Sequence, residues 1–259
     1  MTARVAWLHV APIKGLAIEE RQTIELHAHG VEDDRRYCIV DEDGRMLNAK
    51  RVQQLVRIRP IVDEAARRLE LAMPDGKRVL GDMGLGDRLD ITIHRRPATA
   101  RQIVGPWAEA LSAEAGQPVR LVKLDQVGNG VDRAGNGGAA TLLGVDSLRA
   151  IAEAAGVPGP VDPRRFRMLI GIAGTEAHAE DEWIGRPVRV GEAVVVPTGN
   201  VGRCAVTTVD PTSGIADLDT LKALARYRSD EMTTEPLPFG VWARVSEPGR
   251  ISVGDKVVA

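Results

Sequence analysis

The chain has 259 residues, 44% hydrophobic and 27% charged, with a formal net charge of −2, which suits a globular protein of one large or two small domains. The near-neutral charge, with no run of five or six like charges, gives no electrostatic footing for nucleic acid, so any phosphate binding must come from local basic groups. Its two cysteines, Cys38 and Cys204, exclude a self-sufficient structural zinc site and a dense disulfide framework, and they suit a reducing cytoplasm.

The first apolar stretch, Val5 to Val10, is interrupted by His9 and is too short for a signal core or a membrane span. It reads as a strand, and nothing later approaches the roughly 20 apolar residues of a spanning helix. Tyr37 to Val40, the turn Asp41-Glu42-Asp43-Gly44 and Met46-Leu47 predict a hairpin, because Asp-Gly supplies hairpin turn conformations. Arg67-Leu69-Leu71 and Arg78-Val79-Leu80 flank Pro74-Asp75-Gly76 as a second pair.

A soft boundary falls near residues 98–103. Pro106 to Ala115 before Gly116, Asp146 to Ala155 before Gly156, and Asp217 to Tyr227 predict three helices, with Asp146 able to cap the second. Between the first two, Gly128 to Ala140 carries five glycines and reads as an exposed loop that either borders a site or serves as a linker. The remainder returns to strands at Val188–Val190, Ala193–Val196, Val241–Val245 and Ile251–Val258, divided by turns such as Gly254-Asp255.

Chemistry concentrates in four places. Cys204 follows Arg203, and an adjacent cation favours the thiolate, which is both nucleophile and soft metal ligand; burial as a small core residue is the competing reading. Lys14-Gly15 ends an extended run and offers an ammonium beside an unobstructed backbone, or else a solvated charge. Glu32-Asp33-Asp34-Arg35-Arg36 sets acids before two guanidiniums, as an oriented phosphate grip or a surface salt-bridge cluster. Asp162-Pro163-Arg164-Arg165-Phe166-Arg167 packs three arginines around an aromatic anchor and points to an anionic ligand. Cys38, inside a strand, reads as core. The histidines suggest no zinc site, and His178 lies near a motif without an assigned role. No G-x-G-x-x-G motif supports intrinsic NAD(P)H use.

Asp162 to Arg167, Ala179 to Gly185, Arg203-Cys204 with Thr207-Thr208-Val209-Asp210-Pro211, Phe239-Gly240 and Gly249 to Asp255 occur in one order. In that order they resemble the MOSC domain, the C-terminal domain of molybdenum cofactor sulfurases. Ala11-Pro12-Ile13-Lys14, Gly30 to Val40 and Met46 to Arg51 resemble the β-barrel region that precedes it. The arrangement is most similar to the mitochondrial amidoxime reducing component and its bacterial relatives.

The resemblance implies a mainly β fold with some α: an N-terminal β-barrel-like region over 1–100 and a MOSC β-barrel with peripheral helices over 101–259. It implies a molybdenum-pyranopterin cofactor, with Cys204 as metal ligand and catalytic residue. Lys14, Gly15, Arg35, Lys50, Arg165, Arg167, Arg203 and Thr207 would bind that cofactor; pyridoxal phosphate is not expected. Asp210 is a candidate proton donor, although Asp-Pro equally caps a turn. The implied reaction reduces a small N-hydroxylated substrate with electrons from a separate donor protein. Sulfur transfer through a persulfide on Cys204 and a non-enzymatic cofactor carrier are the alternatives. Three departures stand out: Val201 replaces a second cysteine, Leu169 replaces an asparagine, and Lys50 replaces an arginine, a point charge for a fork.

Overall fold

The computed structural model describes residues 2–128, 130, 131, 138–229 and 231–259. Within the glycine-rich stretch, residues 129 and 132–137 lie outside that description.

The first part of the chain supplies β1 (Arg4–Val10), β2 (Ile13–Lys14), β3 (Glu19–Arg21), β4 (Thr23–Leu26), β5 (Tyr37–Val40) and β6 (Met46–Leu47). After a 3-10 turn come β7 (Arg59–Asp63), β8 (Arg68–Ala72), β9 (Arg78–Asp82), β10 (Gly84–Ile93) and β11 (Arg96–Val104). Alternation decides which face is buried: Ile24 and Leu26 point inward from β4, and Leu69 and Leu71 from β8, with their neighbours more exposed. Both expected hairpins form, as β5 against β6 and β8 against β9.

The rest contributes α1 (Trp107–Ala115), β12 (Arg120–Leu124), β13 (Ala140–Gly144), α2 (Val145–Ala155), β14 (Ile170–Ala173), β15 (Val188–Val190) and β16 (Ala193–Gly202). It closes with α3 (Thr220–Tyr227), β17 (Pro238–Glu247), β18 (Gly249–Ser252) and β19 (Val257–Val258). The expected mainly β fold with three helices is observed among the described residues, its sheet curled into a half-barrel. Two helix starts differ from expectation. Strand β13 runs straight into α2, so Gly144 occupies the cap position, and Asp146 instead pairs with Arg149 inside the first turn. Helix α3 starts at Thr220 because the Asp219 carboxylate accepts from the Lys222 N–H at 3.0 Å.

Two sheets carry the architecture. The larger has the order β19-β15-β16-β17-β13-β14-β1-β3, and the smaller runs β10-β11-β12-β5-β2 with β6 on β5. The chain therefore crosses over itself. β1 pairs antiparallel with β14, β4 pairs with β18, and β12 pairs with β5. One apolar core lies around β1, β14 and β16, and another gathers Ile13, Leu16, Tyr37 and Trp107.

Gly171 is required where those first strands meet. It sits opposite Trp7 across the β1–β14 pair, and a Cβ built there would stand 2.0 Å from the indole. The indole cannot swing aside freely, because it stacks on His9 with ring centroids 4.2 Å apart. Gly171→Ala should therefore cost about 2 kcal/mol of stability by overpacking. Denaturant unfolding measures this, and an unchanged midpoint would refute the assigned contact.

Candidate functional site

A cavity of 430 Å³ lies where the two sheets and their connecting loops converge. Lys14 and Gly15 reach it from β2, which runs parallel to β5 and fixes Lys14 opposite Cys38. The Lys14 ammonium is buried and donates to the Gly130 carbonyl at 2.8 Å. Gly15 turns there with φ +93°, a conformation that any side chain would strain. Lys50 stands exposed at the rim, just beyond β6.

Arg35 and Arg167 meet across the cavity wall, both with left-handed backbone, at φ 53° and 55°. Arg35 donates to the Arg167 carbonyl at 2.8 Å and pairs with the buried Asp34. Asp34 also accepts from the Ala11 N–H at 2.9 Å, so it anchors Arg35 to the end of β1. Sequence reasoning recognised that an aspartate could orient this arginine but could not choose between neighbours. The structure assigns Asp34 to Arg35, while Asp33 pairs with Arg21 at 2.8 Å. Held left-handed arginines store backbone strain, as functional sites often do.

Cys204 is exposed and lines the cavity from the loop beyond β16, with extended backbone at φ −132°. The reading of it as a buried core residue is thereby excluded. Three other residues expected around the cofactor also line the cavity, and each also bonds to the protein around it. Arg203 donates to the carbonyls of Phe166, at 3.0 Å, and Phe239, and lies over both rings. Thr207 donates to the Cys204 carbonyl at 3.0 Å and shares a hydrogen bond with Thr220. Arg165 donates to the Thr208 carbonyl at 3.0 Å and pairs with Asp210 at 3.3 Å and Asp217 at 2.7 Å.

Asp210 is not among the cavity-lining residues. Partial burial would raise its carboxyl, but N–H groups of Ser213 and Thr212 and the charge of Arg165 together hold it below the usual aspartate range. It is therefore a turn cap and a counter-ion, ionised at neutral pH. Removing its partner should loosen this loop. Arg165→Ala is expected to cost about 1–2 kcal/mol, discounted because both aspartates retain solvent access. A thermal melt checks the cost; an unchanged Tm would mean that the ion pairs do not brace the loop.

Cys38 is fully buried, and burial pushes its thiol up to about 12 against an opposing pull from Lys14. His178 lies outside the cavity, against Tyr227 and Phe239, and burial with nearby Arg228 brings its imidazole down to about 4. Two positions where the chain departs from the resembled pattern, Val201 and Leu169, both line the cavity. Sequence reasoning missed Glu180, which is buried beside α2 with Oε1 accepting from the Gly144 N–H at 3.2 Å and from Ser147 at 3.3 Å. A glutamate within an acidic run carries no outward sign of burial.

Residues 2–104 match the MOSC N-terminal beta barrel domain, and residues 130–258 match the MOSC domain. The chain belongs to the MOSC family. This MOSC protein is 26% identical over 288 residues to mitochondrial amidoxime-reducing component 1 of Xenopus laevis, covering 98% of the chain and 81% of the relative. It is 24% identical to the molybdenum cofactor sulfurase of Danio rerio, covering 97% of the chain but 34% of that longer protein. Among solved structures, the YuaD protein of Bacillus subtilis aligns over 99% of this chain and 94% of its own, with 11% identity and a TM-score of 0.45. No helix among the described residues is long and apolar enough to cross a membrane.

Proposed function

We propose that this MOSC protein binds a molybdenum-pyranopterin cofactor in the 430 Å³ cavity and reduces small N-hydroxylated compounds. The observation that carries this reading is the exposed Cys204 thiol on a cavity also lined by Lys14, Arg35, Lys50 and Arg167. That donor set fits the group: one soft sulfur for the metal, and cations for a phosphate and the polar pterin edge. When bound, the cofactor supplies the two-electron step in which an N–OH bond takes two electrons and two protons to give N–H and water.

The protein's own residues divide the remaining work. Lys14, Gly15, Arg35, Lys50 and Arg167 hold the anionic ligand. Arg203 and Thr207 shape the Cys204 loop from within the cavity wall, and Arg165 braces it through Asp210 and Asp217. Asp210 is thus a positioning residue. Electrons come from a separate donor protein, and the protein works in the cytoplasm. The division into units 1–100 and 101–259 belongs to the same proposal.

The test is reduction of an aryl amidoxime with a chemical electron donor, using protein isolated from a host that makes the cofactor. Amidine formation with molybdenum bound supports the reductase. Protein without molybdenum whose intact mass shows an extra sulfur atom on Cys204 would replace it with sulfur transfer, and bound cofactor without amidine would leave a carrier.

A further inference from the structure

Cys204 sits between two ties that lead to opposite ends of α3. The first is a relay of hydroxyls. Thr207 Oγ1 donates its one proton to the Cys204 carbonyl at 3.0 Å, so in its 2.6 Å contact with Thr220 Oγ1 it is the acceptor and Thr220 the donor. Thr220 is the first residue of α3 and fully buried, and Thr207 is buried as well. Hydroxyls in series polarise one another, so the bond to Cys204 is firmer than an isolated one.

The second tie leaves the other end of the helix. Arg228, just past Tyr227, donates its N–H to the Leu224 carbonyl at 2.9 Å, and its buried guanidinium pairs with the Asp181 carboxylate. The other oxygen of that carboxylate accepts from Asn200 Nδ2 at 2.8 Å. Asn200 is buried on β16, four residues before Cys204. Its N–H donates to Thr234 Oγ1 at 2.7 Å, and its Oδ1 accepts from the Thr234 N–H at 3.1 Å. Nearer the thiol, the Arg203 N–H donates to the Leu237 carbonyl at 3.1 Å. Between the ties α3 is itself fixed, since Ala223 and Leu224 are buried in one cluster with Phe166 and Phe239. Its eight residues span about 12 Å, so this rod sets the separation of the two ties.

We propose that α3 is the positioning element for the Cys204 thiol, with Thr220 at one end and the chain Arg228, Asp181, Asn200 at the other as positioning residues. Together they hold the backbone on both sides of Cys204, so that the thiol meets a metal in one fixed place. The metal-holding role rests on the cofactor reading above, whereas the fixing of the loop does not. Hydrogen exchange of the cofactor-free protein reads the loop directly. Thr220→Val keeps the shape and removes the donor, so exchange at the Thr207 amide should rise about fivefold, and Thr220→Ser should restore it. Asp181→Asn keeps the shape and removes the charge that holds Arg228, and it should raise exchange at the Arg203 amide by a similar factor. Gly171→Ala, which costs stability without touching either tie, should leave both amides as they are. Thermal melts establish that each variant is folded. Molybdenum-loaded protein should lose its metal on dialysis about tenfold faster in Thr220→Val and Asp181→Asn, and at the wild-type rate in Thr220→Ser and Gly171→Ala. Unchanged exchange in either tie variant, or an equal rise in Gly171→Ala, would overturn the proposal, as would faster exchange without faster metal loss. Wild-type protein that holds no molybdenum would overturn the cofactor reading, and the exchange result would then by itself decide whether α3 fixes the loop.

Discussion

Cys204→Ala should abolish molybdenum retention and lower amidoxime reduction by about a hundredfold or more, while leaving the Tm of the cofactor-free protein unchanged. Loss of groups that merely orient a metal ligand typically costs 10–100-fold, roughly the floor expected for the ligand itself. The fold should not notice the change, because the side chain is exposed and the loop's bonds at this position use the Cys204 carbonyl, which alanine keeps. Cys204→Ser is the sharper variant. It preserves size and polarity but offers hard oxygen in place of soft sulfur, so it should behave like alanine in metal content. Molybdenum analysis beside thermal melts decides the matter, and equal metal in wild type and both variants would end the ligand assignment.

Glu180→Gln should stabilise the protein by about 3 kcal/mol at pH 8 and by almost nothing at pH 4. Burial raises this carboxyl from its ordinary 4.5 to about 7, with Asp181 adding to the rise and N–H and hydroxyl donors from Gly144 and Ser147 opposing it. Its Oε2 is buried and finds no hydrogen-bond partner among the described residues. The folded state thus keeps a proton that the unfolded chain releases between about 4.5 and 7. Stability contributed at this site falls as pH rises through that window, and the penalty is complete above it. His9 and His178, both brought down to about 4, act in the opposite sense below their ordinary range. The informative quantity is therefore the difference between variant and wild type in urea unfolding at each pH. Parallel pH profiles would show that Glu180 ionises freely in the folded protein.

Local signals in the sequence were faithful where the structure is itself local. Asp-Gly placed the β5–β6 hairpin and glycine ended α1 and α2, because a turn or a left-handed cap depends on a few adjacent residues. The ordered motifs likewise brought Lys14, Arg35, Arg167 and Cys204 to one cavity. What remained illegible was allegiance. Nothing in Arg-Cys or Arg-Arg-Phe-Arg says that Arg203 turns onto two carbonyls or that Arg165 faces two aspartates, since each choice depends on chain more than thirty residues away. Glu180 was hidden for the same reason: its burial is imposed by β13 and α2, not by its neighbours in sequence.

The crossing of early and late strands also sets a timetable for synthesis. Leu26 on β4 has its partner at Gly249 on β18, and Leu8 on β1 has its partner at Ile170 on β14. A ribosome adding roughly 5–20 residues per second completes β18 roughly ten to fifty seconds after β4 emerges. During that interval Val5, Leu8, Ile24 and Leu26, all destined for one core, have no finished surface to cover them. The β4–β18 pair can therefore close only after residues 249–252 have been made, which places one of the fold's most non-local contacts late in synthesis.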